Sequence, residues 1–209
     1  MKSLTRLLIM CICSAAIITL VPQNLEAEQI GEWSGLHQVD NLLLPNELNP
    51  SLASLSTIAA GISLSLPIIP ISESLFTEVM PEEDVMLSAA FNTAMYAGTL
   101  GLVYFSTEIM KNTFSRSRPF PDESEDPYKS FPSRHTALSF AAAAFQSIYT
   151  VYNDNSHGMA ISVNVSSWSL AVLTGYLRAA SGEHFFTDIL AGAVIGTLIG
   201  AAGGILVSL

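Results

Sequence analysis

Positive charge is what this sequence has least of. Between Arg6 and Lys111 there is neither a lysine nor an arginine. The chain of 209 residues carries 8 basic against 18 acidic residues, a net charge of −10. Nucleic acid, which is bound by neutralising its phosphates with Lys and Arg, is thereby disfavoured as a partner. Charged residues of both signs reach only 12%, about half the share of a soluble domain. Cysteine is nearly absent: Cys11 and Cys13 both lie in the N-terminal segment, outside any convincing lipobox, so the body of the chain has no disulfide and no thiol chemistry. Also missing are a glycine-rich phosphate loop, a carboxylate cluster able to hold two metal ions, short strands with turn punctuation, and an internal repeat.

Long apolar runs fill the space that charge leaves. Half the residues are hydrophobic and the mean hydropathy is +0.44. Uncharged stretches run over Ser51–Ser72, Met86–Thr107, Thr136–Asn153, Gly158–Leu177 and Ile189–Leu209. Each is about 18 to 22 residues, the length of a helix that crosses hydrocarbon. Their serines leave a second reading open, as core helices of a soluble bundle. The recurrence of charge-free runs at one length favours spans. The fold class expected is therefore all-α, an integral-membrane bundle of five spans.

The N-terminus adds a signal peptide or a sixth span. Lys2 and Arg6 precede an apolar run, Leu7–Val21, which is short for a span and suits a secretory signal. Its best cleavage site, "LEA" before Glu28, is poor, so a retained anchor stands beside the cleaved signal. The domain plan is 1–27 signal or anchor, 28–50 external loop, and 51–209 the body. Gly192, Gly196, Gly200 and Gly204 recur every four residues in the last run and share one helix face. Such a stripe means close helix packing, within the bundle or, second, at a homodimer seam.

A cytoplasmic basic N-terminus places residues 22–50, 108–135 and 178–188 outside, and 73–85 and "NDNSH" inside. The outer loops then hold Lys111, Arg116, Arg118, Lys129, Arg134 and Arg178, against the positive-inside tendency. An acidic chain that gathers its cations in one place has a use for them there, and an anion is the natural ligand.

Three outer pieces carry candidate chemistry. In "KNTFSRSRP", Lys111 and Arg118 are two helical turns apart and expected on one face before Pro119 disfavours further helix. In "FPSRHTALSF", Pro132 and Ser133 read as a helix start, with Ser133 as cap and His135 in the first turn; a helix N-terminus favours phosphate. In "LRAASGEHFFTDILAG", His184 and Asp188 stand at i and i+4 on the doorstep of the last run. An aspartate so placed can hold one imidazole nitrogen and leave the other aimed outward. Each piece alone has a bland reading, as an interfacial histidine, a snorkelling arginine or a helix-end hydrogen bond. Together they bring two histidines, an aspartate and three cations to one predicted face.

These pieces resemble the three-part signature of the type 2 phosphatidic acid phosphatase (PAP2) superfamily, K-x6-RP, PSGH and SR-x5-H-x3-D. They stand here as "KNTFSRSRP", "PSRH" and "LRAASGEHFFTD", with every spacing kept and in the same order. The resemblance covers roughly residues 50 to 209. It implies a metal-independent phosphatase that works through a phosphohistidine, with no cofactor. His184 would be the nucleophile, Asp188 its orienting partner, and His135 the acid for the leaving oxygen and then the base for water. Lys111, Arg118 and Arg178 would clamp the phosphate oxygens, with Ser133 adding a hydroxyl and Arg134 a backbone N–H.

Two positions depart from the pattern: Arg134 stands where the family usually has glycine, and Leu177 where it often has serine. The backbone N–H at 134 survives the change. Arg116 and Lys129 have no family role and are expected to be solvated. The substrate implied is a phosphorylated membrane lipid, such as a polyprenyl diphosphate, phosphatidate, phosphatidylglycerophosphate or lipid A phosphate. The place implied is the periplasmic face of a bacterial inner membrane. A soluble periplasmic phosphatase, a vanadium-dependent haloperoxidase and a non-catalytic lipid-binding member are the competing readings. Membrane runs weigh against the haloperoxidase, and the intact His135, His184 and Asp188 against the non-catalytic member.

Overall fold

The computed structural model describes residues 37–77, 83–153 and 157–209. The N-terminal run with both cysteines, and the predicted inner-loop residues 78–82 and 154–156, lie outside them. A one-turn helix, His37–Asp40, comes first. Six main helices follow: α1 Pro50–Ser65, α2 Ile68–Thr77, α3 Glu83–Phe114, α4 Arg134–Asn153, α5 His157–Ala180 and α6 Phe186–Ser208. No strand occurs among the described residues.

Local chemistry sets the helix ends. Pro50 opens α1, and the Asn49 side chain caps it by accepting the Leu52 N–H at 3.1 Å. The first apolar run was expected unbroken. It is split instead between α1 and α2 around Pro67, whose missing N–H interrupts the ladder. Helix α3 overruns its expected stretch at both ends and brings Lys111 into its last turn. It ends where Ser115 turns left-handed at φ +43° while its N–H still bonds Lys111 O at 3.0 Å. Arg118 therefore lies in the loop beyond, and the expected shared helix face with Lys111 does not form.

Four segments are long and apolar enough to cross a membrane: Pro50–Ser72, Val85–Phe114, Ala160–Ala180 and Phe186–Ser208. The fifth expected span, within α4, is the centre of the bundle. Its 20 residues give about 30 Å of helix, enough for a bilayer core. It is enclosed by α1, α3, α5 and α6. Ala137, Ala141, Ala142, Ala143 and Phe145 on α4 are wholly buried, while Phe105, Ile161, Val165, Val194 and Leu198 on its neighbours face outward. Apolar side chains on the outer face of an all-helical bundle suit lipid rather than water.

The glycine stripe of α6 packs onto α4. A methyl group added at Gly192 would come within 2.5 Å of Ser133 O, at Gly196 within 2.0 Å of Ala137 O, and at Gly200 within 2.2 Å of Ala141 O. The stripe is thus the tight internal seam, which lets the two backbones approach as only hydrogen side chains allow. Polar side chains join α4 to α5 lower down: Trp168 Nε1 donates to Ser147 Oγ at 2.9 Å, and Asn164 Nδ2 to Thr150 Oγ1 at 2.9 Å.

Candidate active site

The three motif pieces meet at one end of the bundle. Lys111 comes from the last turn of α3, and Arg116 and Arg118 from the loop after it. Ser133 and His135 come from the start of α4, Arg178 from the end of α5, His184 from the link just before α6, and Asp188 from the first turn of α6. The seam between α4 and α6 sets their register. The Ser133 N–H donates to Asp188 O at 3.1 Å, tying the two helix starts together.

Ser133 stands at the expected cap position. Its carbonyl accepts the Ala137 N–H at 3.0 Å, and its wholly buried hydroxyl lies 2.9 Å from Thr136 Oγ1. The N–H groups of Arg134, His135 and Thr136 precede that first helical bond and point out of the helix end. The Arg134 side chain turns away from this position. It donates to Glu108 Oε2 at 2.9 Å and lies 4.6 Å over the Tyr104 ring. Lys129, expected solvated, pairs with the same Glu108 at 3.1 Å and is still partly exposed.

Asp188 is wholly buried and held by three donors. Its Oδ1 accepts from Arg116 Nη1 at 2.5 Å, and its Oδ2 from Ser130 Oγ at 2.6 Å and from the Phe185 N–H at 3.0 Å. The last bond caps α6, which begins only at Phe186. His184 therefore precedes the helix, and the i, i+4 face predicted for the pair does not exist. Its Nδ1 lies 3.8 Å from Asp188 Oδ2, beyond hydrogen-bond reach, and is buried without a partner. Aspartate and imidazole are neighbours that a small ring movement would join; hydrogen bonds of catalytic groups often tighten only with substrate bound.

The cations surround both imidazoles. Burial first, and then the positive charge of Arg178, Lys111 and Arg118, holds His184 well below the ordinary histidine pKa of 6.5. The same causes, with Arg134 added, lower His135 to about 4. Both rings are therefore neutral at pH 7, each with a lone pair to offer. Lys111 donates through Nζ to Lys129 O. Arg178 donates through Nη1 to Ser56 Oγ at 3.3 Å, and its buried Nε has no partner.

Sequence reasoning missed a second layer. Arg116, expected solvated, is only 6% exposed. Its Nη2 meets Asp40 Oδ2 at 2.5 Å, its Nη1 bonds Thr187 Oγ1 at 2.8 Å, and its guanidinium lies 4.5 Å over the Phe185 ring. Asp40 also accepts the Thr187 N–H at 3.3 Å, and the Asn49 N–H bonds Ser181 O at 2.9 Å. The segment before α1, part of the expected external loop 28–50, is thus tied to the site. Arg116 left a signal, as an extra cation inside "KNTFSRSRP". Asp40 left none, because its partners lie far along the chain.

Residues 92–207 match the PAP2 superfamily. Lipid phosphate phosphatase 1 of Arabidopsis thaliana is 36% identical over 84 residues, 38% of this chain and 26% of that protein. Lipid A 1-phosphatase of Porphyromonas gingivalis is 28% identical over 116 residues, 56% of this chain and 24% of that protein. The chain thus spans about a quarter of the length of these curated relatives. Among solved structures, the fold is shared with Aquifex aeolicus LpxE, at a TM-score of 0.52 and 21% identity, covering 83% of this chain and 97% of that one. It is also shared with a transmembrane PAP2-type phosphatidylglycerolphosphate phosphatase of Bacillus subtilis, at 0.54 and 22%, covering 99% and 94%. The family match takes in more than half of the sequence and all three motif pieces, and the chain belongs to the PAP2 superfamily.

Proposed function

We propose that the chain is a membrane phosphatase that removes a terminal phosphate from a phosphorylated lipid, without a metal ion, through a phosphohistidine. The observation that carries the reading is the convergence of His184, His135 and Asp188 with Lys111, Arg118 and Arg178 at one end of an apolar bundle. Lys111, Arg118 and Arg178 collect the phosphate, helped by Ser133 and the backbone N–H of Arg134. The His184 nitrogen facing away from Asp188 donates its lone pair to phosphorus and the bond from phosphorus to the lipid oxygen breaks; His135, which takes up a proton once the bound phosphate offsets the cations around it, delivers that proton to the leaving oxygen. Water then attacks the phosphohistidine while His135 takes its proton, releasing phosphate and restoring His184. Asp188 stabilises the imidazolium formed in between.

A lipid substrate is supported by the four apolar segments and by the lipid phosphatases among the relatives. Polyprenyl diphosphate, phosphatidate, phosphatidylglycerophosphate and lipid A phosphate are the classes to screen. The location proposed is the inner membrane of a bacterium, with the site on the periplasmic side. The test is phosphate release from these lipids by purified protein in detergent containing EDTA. The expected result is turnover that EDTA leaves intact and His184→Ala abolishes. Collapse with EDTA would overturn the metal-free step, and full turnover by His184→Ala the nucleophile.

A further inference from the structure

The two arginines assigned to the phosphate already share an anion of the protein's own. Arg118 Nη1 and Arg178 Nη2 both donate to the same oxygen of Glu183, Oε2, the second at 3.1 Å. The two guanidinium groups come from different elements, the loop after α3 and the end of α5, and both reach this carboxylate. Arg118 Nη1 is also held by Glu183 O at 3.0 Å. The main chain places Glu183 directly before His184. Gly182 precedes it at φ +80°, and the Phe120 ring lies 2.6 Å from where a Cβ at 182 would stand. Only glycine fits that turn, which keeps the carboxylate at the mouth of the site. Glu183 is 22% exposed against 6% for Arg178, so its side chain has a way out while the arginine does not.

Resting on the phosphatase reading above, we propose that Glu183 is a specificity-determining residue: its carboxylate holds the place of a phosphate oxygen between Arg118 and Arg178, and a substrate binds only by displacing it. A carboxylate brings one negative charge. A phosphodiester headgroup also brings one and gains nothing by the exchange. A terminal phosphate brings about 1.5 to 2 charges at neutral pH, with three acceptor oxygens, and wins it. Glu183 thus screens out the phosphodiester lipids that crowd a membrane and admits terminal phosphates. Once displaced, it leaves both guanidinium groups and the buried Arg178 Nε to the incoming anion.

The test compares the wild-type chain with Glu183→Gln, which keeps the shape and removes the charge, and Glu183→Asp, which keeps the charge. Inhibition of phosphate release by inorganic phosphate is measured first, and then competition by phosphatidylglycerol in mixed micelles. Direct calorimetric titration with inorganic phosphate supplies a readout independent of turnover. For Glu183→Gln the expected result is inorganic phosphate binding about tenfold tighter, the scale of one charged hydrogen bond released, together with new inhibition by phosphatidylglycerol. Glu183→Asp should remain selective. Weaker or unchanged phosphate binding in a folded Glu183→Gln would overturn the proposal, because the carboxylate would then only orient the arginines. If Glu183→Gln does not fold, loss of selectivity in a folded Glu183→Asp overturns it equally. A wild-type chain that neither binds phosphate nor releases it from any lipid overturns the phosphatase reading itself, and is told apart by that wild-type result.

Discussion

Arg116 and Asp188 form a buried ion pair of 2.5 Å, and the same guanidinium reaches Asp40 on its other side. One cation therefore neutralises two buried carboxylates, one in the first turn of α6 and one in the segment before α1. Removing one member of such a buried group costs more than the group contributes, because the remaining charges stay unpaired. Arg116→Met is expected to destabilise the protein by about 3–5 kcal/mol. Thermal denaturation in detergent checks this, and a variant as stable as the wild type would refute it. Asp40→Asn should lose less stability and still slow phosphate release, since it loosens the turn that carries Asp188.

The histidines make stability depend on pH in a definite direction. Both His184 and His135 have folded-state pKa values below the ordinary 6.5. The unfolded chain therefore takes up protons first as pH falls. The stability these rings contribute is whole above pH 6.5 and shrinks below it, down to about 4 for His135 and further for His184. Each ring costs up to about 1.4 kcal/mol per pH unit in that window. Melting temperature should fall between about pH 7 and pH 5. His184→Gln should flatten the fall; an unchanged slope would count against the neutral buried ring.

Turnover should separate the two imidazoles. His184→Ala is expected to stop the reaction, as the proposed nucleophile has no substitute. His135→Ala should lower the rate by about 10²–10⁴, the usual contribution of a positioned acid–base group. A substrate with a good leaving group, such as nitrophenyl phosphate, should recover much of that loss in His135→Ala and none in His184→Ala. Equal recovery in both would sink the division of roles.

The seam between α4 and α6 should tolerate no side chain. At Gly196 an added methyl would lie 2.0 Å from the Ala137 carbonyl oxygen, so backbone must move against backbone. Gly196→Ala is expected to cost at least about 1–3 kcal/mol, and Gly196→Val more. Gly61, where an added methyl meets nothing within 4 Å, is the control: Gly61→Ala should be neutral or slightly stabilising. Similar melting temperatures for the variants at 196 and 61 would show that the seam is not tight.

The end of α3 offers a gain in stability. Ser115 is left-handed at φ +43°, a conformation that costs a side chain with a Cβ about 1–2 kcal/mol. Ser115→Gly should recover part of that, up to about 1 kcal/mol, and leave turnover unchanged. A drop in melting temperature would indicate that the serine hydroxyl, which donates to Asn112 O at 3.2 Å, matters more than the backbone.

Much of this protein was fixed locally. A charge-free run must satisfy its backbone within itself, so helices of membrane length could be read from composition alone. The spacing of Lys111 and Arg118, of Ser133 and His135, and of Arg178, His184 and Asp188 stood complete in the chain. The glycine stripe announced close packing before its partner was known. Where local reading failed, a backbone detail intervened: Pro67 split the first run, Ser115 ended α3 between Lys111 and Arg118, and α6 began at Phe186, after His184, so neither pair shares a helix face.

Only tertiary structure decided who meets whom. The glycines face α4 because the alanines of α4 present a backbone they can reach, and no spacing rule names that partner. Asp188 turns to Arg116, Ser130 and its own helix cap rather than to His184, because a buried carboxylate takes the nearest good donors. Thr187 meets Asp40 across 147 residues, and Arg118 meets Glu183 across 65. Such contacts follow from the packing of whole helices. The sequence thus determined the motif groups of the proposed site and the membrane helices that carry them. The fold determined which carboxylates meet those groups, and it set Glu183 between Arg118 and Arg178.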